Sequence, residues 1–219
     1  MPQIFNPSTN TLSRVSIFGA VVLLALAAWV FATLNRSSYA TRQGLILAQP
    51  VPFSHDHHVS AIGIDCRYCH TAVEQSSAAG IPPTATCMTC HSQIWAQSPM
   101  LEPVRASFAS GAPIAWTRIH DLPGFAYFNH SIHVAKGIGC ATCHGRIDRM
   151  ALTWQASTMQ MEWCLECHRD PARFVQPRET VFSPTWQPPG NATDEAALRA
   201  ELARSYRLKS KMSCSTCHR

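Results

Sequence analysis

Charged residues are scarce in this 219-residue sequence. Asp, Glu, Lys and Arg together make up 14% of the chain, whereas roughly 25% is typical of soluble globular domains. The deficit predicts that part of the chain is buried in lipid, against a partner or around a cofactor. Intrinsic disorder is excluded as well, because 46% of the residues are hydrophobic and disordered segments have low hydrophobicity.

The local signatures of hydrolytic and acyl-transfer enzymes are also missing. The sequence contains no G-x-S-x-G element and no phosphate-binding loop, which mark serine hydrolases and nucleotide-binding enzymes. No cysteine is left over as a nucleophile, because all ten belong to one repeated motif. These absences argue against a simple soluble enzyme.

One long uncharged run, Val15 to Leu34, stands near the N-terminus. At about 1.5 Å per residue, a helix of this length spans roughly 30 Å, the thickness of the hydrocarbon core of a bilayer. A cleaved signal peptide is the alternative, with a small-x-small site at residues 25–27. Because the apolar run continues to Phe31, we predict an uncleaved transmembrane anchor over residues 1–36, followed by a linker over 37–52.

Every cysteine lies in a C-x-x-C-H motif, which is the attachment signature of c-type haem. In that chemistry both thiols form thioethers with the haem, and the adjacent histidine is the proximal iron ligand. Zinc sites, thioredoxin-like pairs and disulfides give no reason for a histidine after each cysteine pair. The motifs therefore predict five covalently bound c-type haems. The attachment cysteines are Cys66 and Cys69, Cys87 and Cys90, Cys140 and Cys143, Cys164 and Cys167, and Cys214 and Cys217, and the proximal histidines are His70, His91, His144, His168 and His218.

The other histidines reveal an internal repeat. Residues 53–59 and 128–134 share the pattern F-x-H-x-x-H-V, and each block is followed by G-I-x-C at the start of a haem motif. We therefore predict a haem domain over residues 53–219. It contains two-haem repeats at 53–91 and 128–168 and a fifth haem motif at 214–218.

Histidines three residues apart share one face of a helix, so each repeated block can send ligands to two neighbouring haems. His57 has no counterpart in the second block and is left out. A methionine remains an alternative for one site and would raise the potential of that haem. The predicted distal ligands are His55, His58, His120, His130 and His133, and the alternative methionines are Met150, Met159 and Met161.

The rest of the chain predicts a mainly α fold with little regular structure. Little polypeptide is available per haem, so the haems themselves must form the core, together with Trp95, Trp116, Trp154 and Trp163. The proline-rich segment 171–190 is expected to be irregular, either wrapping its own haems or lying on a partner. A helix capped by Asn191 or Thr193 should follow it.

These predictions point to electron transfer rather than catalysis. Six spare histidines for five irons allow every iron to be coordinated on both faces. Each haem brings two carboxylates, so five haems change the formal charge from +5 to about −5. The basic balance of the bare chain is therefore no evidence for a nucleic-acid partner.

The F-x-H-x-x-H block before C-x-x-C-H resembles the class III multihaem cytochromes, in which the first of these histidines ligates the next haem in sequence. That resemblance implies pairing of His55 with the Cys66–His70 haem and of His130 with the Cys140–His144 haem. The segments 118–123, 128–134, 140–145 and 161–169 more specifically resemble the pentahaem subunit of alternative complex III.

This second resemblance implies a bacterial quinol:electron-acceptor oxidoreductase in the cytoplasmic membrane. The haem domain would lie on the outer, periplasmic face. The implied partners are an iron–sulfur subunit, polytopic quinol-binding membrane subunits and a monohaem cytochrome c. A stand-alone membrane-anchored quinol dehydrogenase and a multihaem reductase, acting for instance on nitrite, remain alternatives.

Overall fold

The computed structural model describes residues 4–218. The chain divides into two compact units, Met1–Gln43 and Gly44–Arg219. Within the described part the regular structure is helical and contains no β-strand, only isolated bridges that pair Ile46 with Trp154 and Ile138 with Val175. The predicted mainly helical fold is confirmed.

The N-terminal unit consists largely of one helix, α1, over Ser8–Arg36. Its most apolar stretch has a mean hydropathy of 2.5 and none of it is buried. By length and composition α1 is able to cross a membrane, and a signal sequence shares both properties. A short helix α2, Ser38–Thr41, ends at Arg42, whose backbone is left-handed with φ of 58°.

The second unit is built from short helices joined by extended chain. Its α-helices are α3 (Cys66–Cys69), α4 (Thr84–His91), α5 (Glu102–Ser110), α6 (His130–Ala135), α7 (Cys140–His144), α8 (Met161–Arg169) and α9 (Ala192–Ser205). A π-helix covers Asp56–Ala61, and 3₁₀ turns cover Pro99–Leu101, Ile147–Arg149, Pro171–Phe174, Arg178–Thr180 and Cys214–Thr216. Seven of these elements contain part of a haem motif or of a histidine block.

Little of this unit forms an ordinary hydrophobic core. One small buried cluster joins Val51, Leu101 and Val104, with Trp116 packed against it. Trp95, which is predicted to pack against the haems, is 59% exposed in the polypeptide. The small number of buried apolar side chains is compatible with the prediction that bound haems form most of the core.

The proline-rich segment packs on its own chain. Val175 and Val181 are the most completely buried large side chains of the described residues, at 0% and 1% exposure. The segment is not wholly irregular, because it contains the two 3₁₀ turns at Pro171–Phe174 and Arg178–Thr180. Of the two roles that the sequence left open, the structure favours the one in which this segment wraps its own domain.

Helix α9 begins as predicted. The side chain of Asn191 caps it by accepting a hydrogen bond of 2.8 Å from the backbone N–H of Asp194. Arg199 forms an ion pair with Glu195 and also donates to the backbone carbonyls of Arg173 and Val175. These bonds fix α9 on the proline-rich segment.

Candidate haem-binding sites

The five C-x-x-C-H motifs all fold as short helical turns. Four lie on or within α3, α4, α7 and α8, and the fifth forms the 3₁₀ turn Cys214–Thr216. Residues three apart on a helical turn lie on the same side, so each turn directs its two thiols towards one place. None of the ten cysteines is fully buried.

Three of the five motif histidines are oriented by backbone carbonyls. Nδ1 of His70 lies 2.7 Å from the carbonyl oxygen of Gly80, and Nδ1 of His218 lies 3.0 Å from that of Phe125. Nδ1 of His91 is likewise 2.9 Å from a carbonyl oxygen. A carbonyl only accepts hydrogen bonds, so Nδ1 carries the proton in each case. Nε2 is therefore left as the lone-pair nitrogen that a metal needs.

Three of the spare histidines are oriented in the same way. His58 and His133 each direct Nδ1 to the carbonyl oxygen four residues earlier, at 2.8 Å and 2.7 Å. His130 directs Nδ1 to the carbonyl of Ser77, at 2.8 Å. His55 differs because its Nδ1 meets a side chain, the hydroxyl of Thr153, at 3.0 Å.

Spare and motif histidines face one another at a regular spacing. The ring centroids of His58 and His91 lie 6.2 Å apart, as do those of His133 and His168. A third pair joins His130 to the histidine of the third motif, with a separation of 6.4 Å. Two imidazoles bound to one metal at roughly 2 Å each would have centroids roughly 6 Å apart. The residues therefore fit iron held between two histidines.

Burial keeps several of these imidazoles neutral. Desolvation, and after it the charge of His70, lowers the pKa of His55 to about 4. Desolvation also lowers the pKa of His144 to about 3, with the charge of His120 as the next cause. The pKa of His133 is lowered by the same burial. Neutral histidine is the form that binds metal, so these sites are prepared for a ligand role at neutral pH.

His120 lies against another histidine. Its Nε2 is 3.1 Å from Nδ1 of His144, and the two rings meet edge-on with centroids 4.4 Å apart. Because Nε2 already has a protein partner in this arrangement, a ligand role for His120 stays a prediction. His57, which the repeat left out, stacks on Trp95 at 6.0 Å.

The alternative methionines lie in different surroundings. Met150 is buried, at 4% exposure, whereas Met161 is 64% exposed. Met159 has a left-handed backbone with φ of 57°. None of these observations assigns a methionine to an iron.

The groups that hold the histidine blocks were not found from the sequence. The second block is braced by the loop after the first haem motif, through the carbonyls of Ser76 and Ser77. The first block is braced by the loop after the third motif, through Thr153 and the carbonyl of Asp148. Three of these groups are backbone carbonyls, which have no residue signature.

Comparison with known proteins agrees with these motifs. Residues 33–109 match the class III cytochrome c family, and residues 126–219 match the family described as cytochrome c7 and related cytochrome c. Every cysteine of the chain lies in one of the two matched segments. In both matched segments the chain is thus similar to multihaem cytochromes c. Covalently bound c-type haem is a property that these families imply.

One similar protein has a name that states its role. Over 155 residues the chain is 32% identical to the protein named "Menaquinone reductase, multiheme cytochrome c subunit" of Nitratidesulfovibrio vulgaris strain Hildenborough. The aligned region is 70% of this chain and 63% of the relative. The chain thus spans less than two thirds of the length of that protein.

Proposed function

We propose that this cytochrome is a membrane-anchored electron-transfer subunit with five c-type haems, belonging to a quinol:electron-acceptor oxidoreductase of the alternative complex III type. The observation that carries the proposal is the set of three facing histidine pairs at 6.2–6.4 Å. When both axial positions are taken by protein ligands, no iron face is left for a substrate. Such sites suit electron transfer rather than catalysis at iron.

Each proposed haem has its own set of residues, and the haems supply one-electron redox chemistry when bound. The chain contributes thiols for attachment, neutral imidazoles for the iron, and carbonyls that hold Nδ1 protonated. The proposed sets are Cys66, Cys69, His70 and His55; Cys87, Cys90, His91 and His58; Cys140, Cys143, His144 and His130; Cys164, Cys167, His168 and His133; and Cys214, Cys217 and His218, with His120 or a methionine as the candidate for the sixth position.

The proposed setting is the cytoplasmic membrane. Helix α1 would be a single-pass anchor, with the haem domain on the periplasmic face, where c-type haem is attached. Quinol would be oxidised to quinone in polytopic membrane subunits, which would pass its two electrons on and release its two protons to the water. This chain would carry only the electrons, between those subunits and an iron–sulfur subunit on one side and a monohaem cytochrome c or terminal oxidase on the other.

A second candidate function uses the same haem sites, with electrons flowing in the opposite direction. The relative's name favours a subunit of a menaquinone reductase, which would deliver electrons to quinone. The two candidates are separated by assaying the purified complex both ways. Faster oxidation of menaquinol with an oxidised cytochrome c supports the first, and faster reduction of menaquinone by a reduced cytochrome c supports the second.

Membership of a complex is tested by gentle detergent extraction and a native gel stained for haem, with mass spectrometry of the stained band. We expect one large band that also contains an iron–sulfur protein and polytopic membrane subunits. A variant with residues 1–36 replaced by a cleavable secretion signal is the control for the anchor and should be released in soluble form. Migration of the full chain alone, with quinol oxidation by that single chain, would instead support a stand-alone quinol dehydrogenase.

A further inference from the structure

We propose that the chain holds its five haems in one unbranched line, in the order second, first, third, fourth and fifth motif. The two ends of the line, at the second and fifth motifs, are where redox partners dock. This inference rests on the proposed function and adds the order of the sites and the position of the two ends. Each of the four steps in the line is carried by a separate set of contacts.

The second and first motifs touch directly. Tyr68 lies between the cysteines of the first motif, and Thr89 lies between those of the second. Their side-chain oxygens are hydrogen-bonded at 2.9 Å. His55 and His58, the proposed distal ligands of these two sites, are also only three residues apart. The two sites are therefore neighbours both through their attachment turns and through their shared histidine block.

The first and third motifs meet at one point on the proline-rich segment. The backbone N–H of Cys140 donates to the carbonyl of Val181 at 3.1 Å. The Sγ of Cys66 lies 3.9 Å from the carbonyl oxygen of the next residue, Phe182. The first cysteines of both motifs thus lie against two consecutive carbonyls. Because Val181 is only 1% exposed, this junction lies in the interior.

Hydrogen bonds that cross between the two repeats explain why the first and third motifs lie in the middle of the line. His130 of the second repeat is held by the carbonyl of Ser77, which follows the first motif. His55 of the first repeat is held by Thr153, which follows the third motif. Each histidine block therefore reaches across to the leading motif of the other repeat, and the two leading motifs are brought together.

The third and fourth motifs share helix α6. His130 on this helix faces the histidine of the third motif, at 6.4 Å between ring centroids. His133, on the next turn, faces His168 of the fourth motif, at 6.2 Å. Since α6 contains only six residues, the two sites must be close.

The fifth motif follows the fourth. The backbone N–H of Lys211, three residues before the fifth motif, donates to the carbonyl of His168 at 3.1 Å. On its other side the carbonyl of Cys217 accepts a bond of 2.8 Å from the N–H of Tyr127, just before α6. The last motif is therefore held beside the second repeat.

Exposure distinguishes the ends from the middle. Cys90 of the second motif and Cys214 of the fifth are exposed, whereas both cysteines of each of the other three motifs are partly buried. A partner exchanges electrons most readily where a haem edge is closest to the surface. The exposed thiols coincide with the two ends that the contacts define.

The iron positions of the haem-loaded chain test the order directly. We expect the four shortest of the ten iron–iron distances to join the second and first, first and third, third and fourth, and fourth and fifth sites. Anomalous scattering at the iron edge gives these distances. Five irons in another order, such as contact between the second and fourth sites, would overturn this inference alone. Fewer than five irons would overturn the proposed function as well.

A redox titration tests the order in solution. His58→Met and His133→Met change equivalent positions of the two repeats, and His/Met ligation raises the potential of a haem. The altered site is then reduced earlier, and its charge change shifts the midpoints of its neighbours most strongly, because Coulomb interactions weaken with distance.

The two variants have different numbers of neighbours in the proposed line. We expect His58→Met to move its own midpoint and one other, and His133→Met to move its own and two others. His57→Met is the matched control and should move none. Two further midpoints moving in His58→Met, or only one in His133→Met, would contradict an unbranched line in this order.

Discussion

The two repeats build the same histidine geometry from different backbones. In the first, Phe53 stacks on His58 at 4.4 Å and meets His55 edge-on at 4.9 Å. In the second, Phe128 stacks on His133 at 4.5 Å and meets His130 edge-on at 4.7 Å. The aromatic ring fixes both imidazoles in each repeat. The arrangement around the proposed iron sites is therefore what the two repeats have in common.

The connection to the next haem motif is where they differ. Thirteen positions separate Phe53 from Cys66, but twelve separate Phe128 from Cys140. The first repeat accommodates its extra residue in the π-helix Asp56–Ala61, whereas the second has the α-helix α6. A π turn is the usual way to insert one residue into a helix, frequently at functional sites. The extra residue thus changes the connection between the histidine block and the haem motif and leaves the histidines in place.

The largest expected effect comes from deleting one residue in each connection. Removing Ala61 shortens the first repeat to the length of the second, and we expect an α-helical turn with low-spin haems retained. Removing Ala135 shortens a connection that has no surplus residue, so His133 and Cys140 should lose their register. Electron paramagnetic resonance of the oxidised proteins should show a new high-spin signal only in the second variant. High-spin signals of equal size in both would contradict this explanation of the π-helix.

Equivalent glycines before the haem motifs should differ in their tolerance of a side chain. Gly63 and Gly137 both have positive φ, at 81° and 77°. A Cβ on Gly63 meets open space, but one on Gly137 would lie 2.5 Å from the carbonyl oxygen of Gln176 and 2.7 Å from the ring of Tyr206. We expect Gly63→Ala to cost about 1 kcal/mol from backbone strain, and Gly137→Ala roughly 3 kcal/mol because overpacking adds to it.

Denaturant unfolding followed by haem absorbance measures both glycine variants. Equal losses of stability in the two would contradict the close packing of the second connection on the proline-rich segment. The wild-type protein and a substitution at Gly190, where a Cβ meets open space in a surface loop, provide the reference.

Acid should release the first distal ligand only well below neutrality. The pKa of His55 is lowered from its ordinary value of 6.5 to about 4 by burial and by the nearby charges of His70, His58 and His120. For the imidazole without iron, a lowered pKa means that the neutral form is fully present above pH 6.5 and is lost as the pH falls through about 4. Iron competes with the proton for the ligand nitrogen, so release from iron is expected at or below that pH. Visible spectra of the ferric protein from pH 7 to pH 3 check this. Conversion of this site to high spin between pH 7 and pH 6 would contradict it.

The smallest effect is expected at His55, whose Nδ1 bonds to a side chain rather than to a backbone carbonyl. Thr153→Val removes the hydroxyl that bonds Nδ1 of His55, at a cost of about 1 kcal/mol, and should raise the midpoint of the first site slightly because the imidazole becomes a weaker donor. Thr153→Ser keeps the hydroxyl and is the matched control. Potentiometric titration should separate the two variants, and identical midpoints would exclude a role for this hydrogen bond.

The helical class, the repeat and the cap of α9 were readable from the sequence because each depends on local spacing or on a single side chain. Asn191 illustrates this, since its role follows from its position before a helix. The hydrogen bonds between the repeats could not be predicted, because Ser77 binds His130 through its backbone carbonyl, which every residue has. Nor could the burial of Val175, which depends on packing between segments that lie far apart in the chain.

The most direct test of the account is the intact mass of the full chain isolated from membranes. We predict the mass of the polypeptide with residues 1–36 retained plus five covalently attached haems. A mass that corresponds to fewer than five haems would contradict the proposed sites. A mass that lacks the N-terminal segment would contradict the anchor and indicate a cleaved signal peptide.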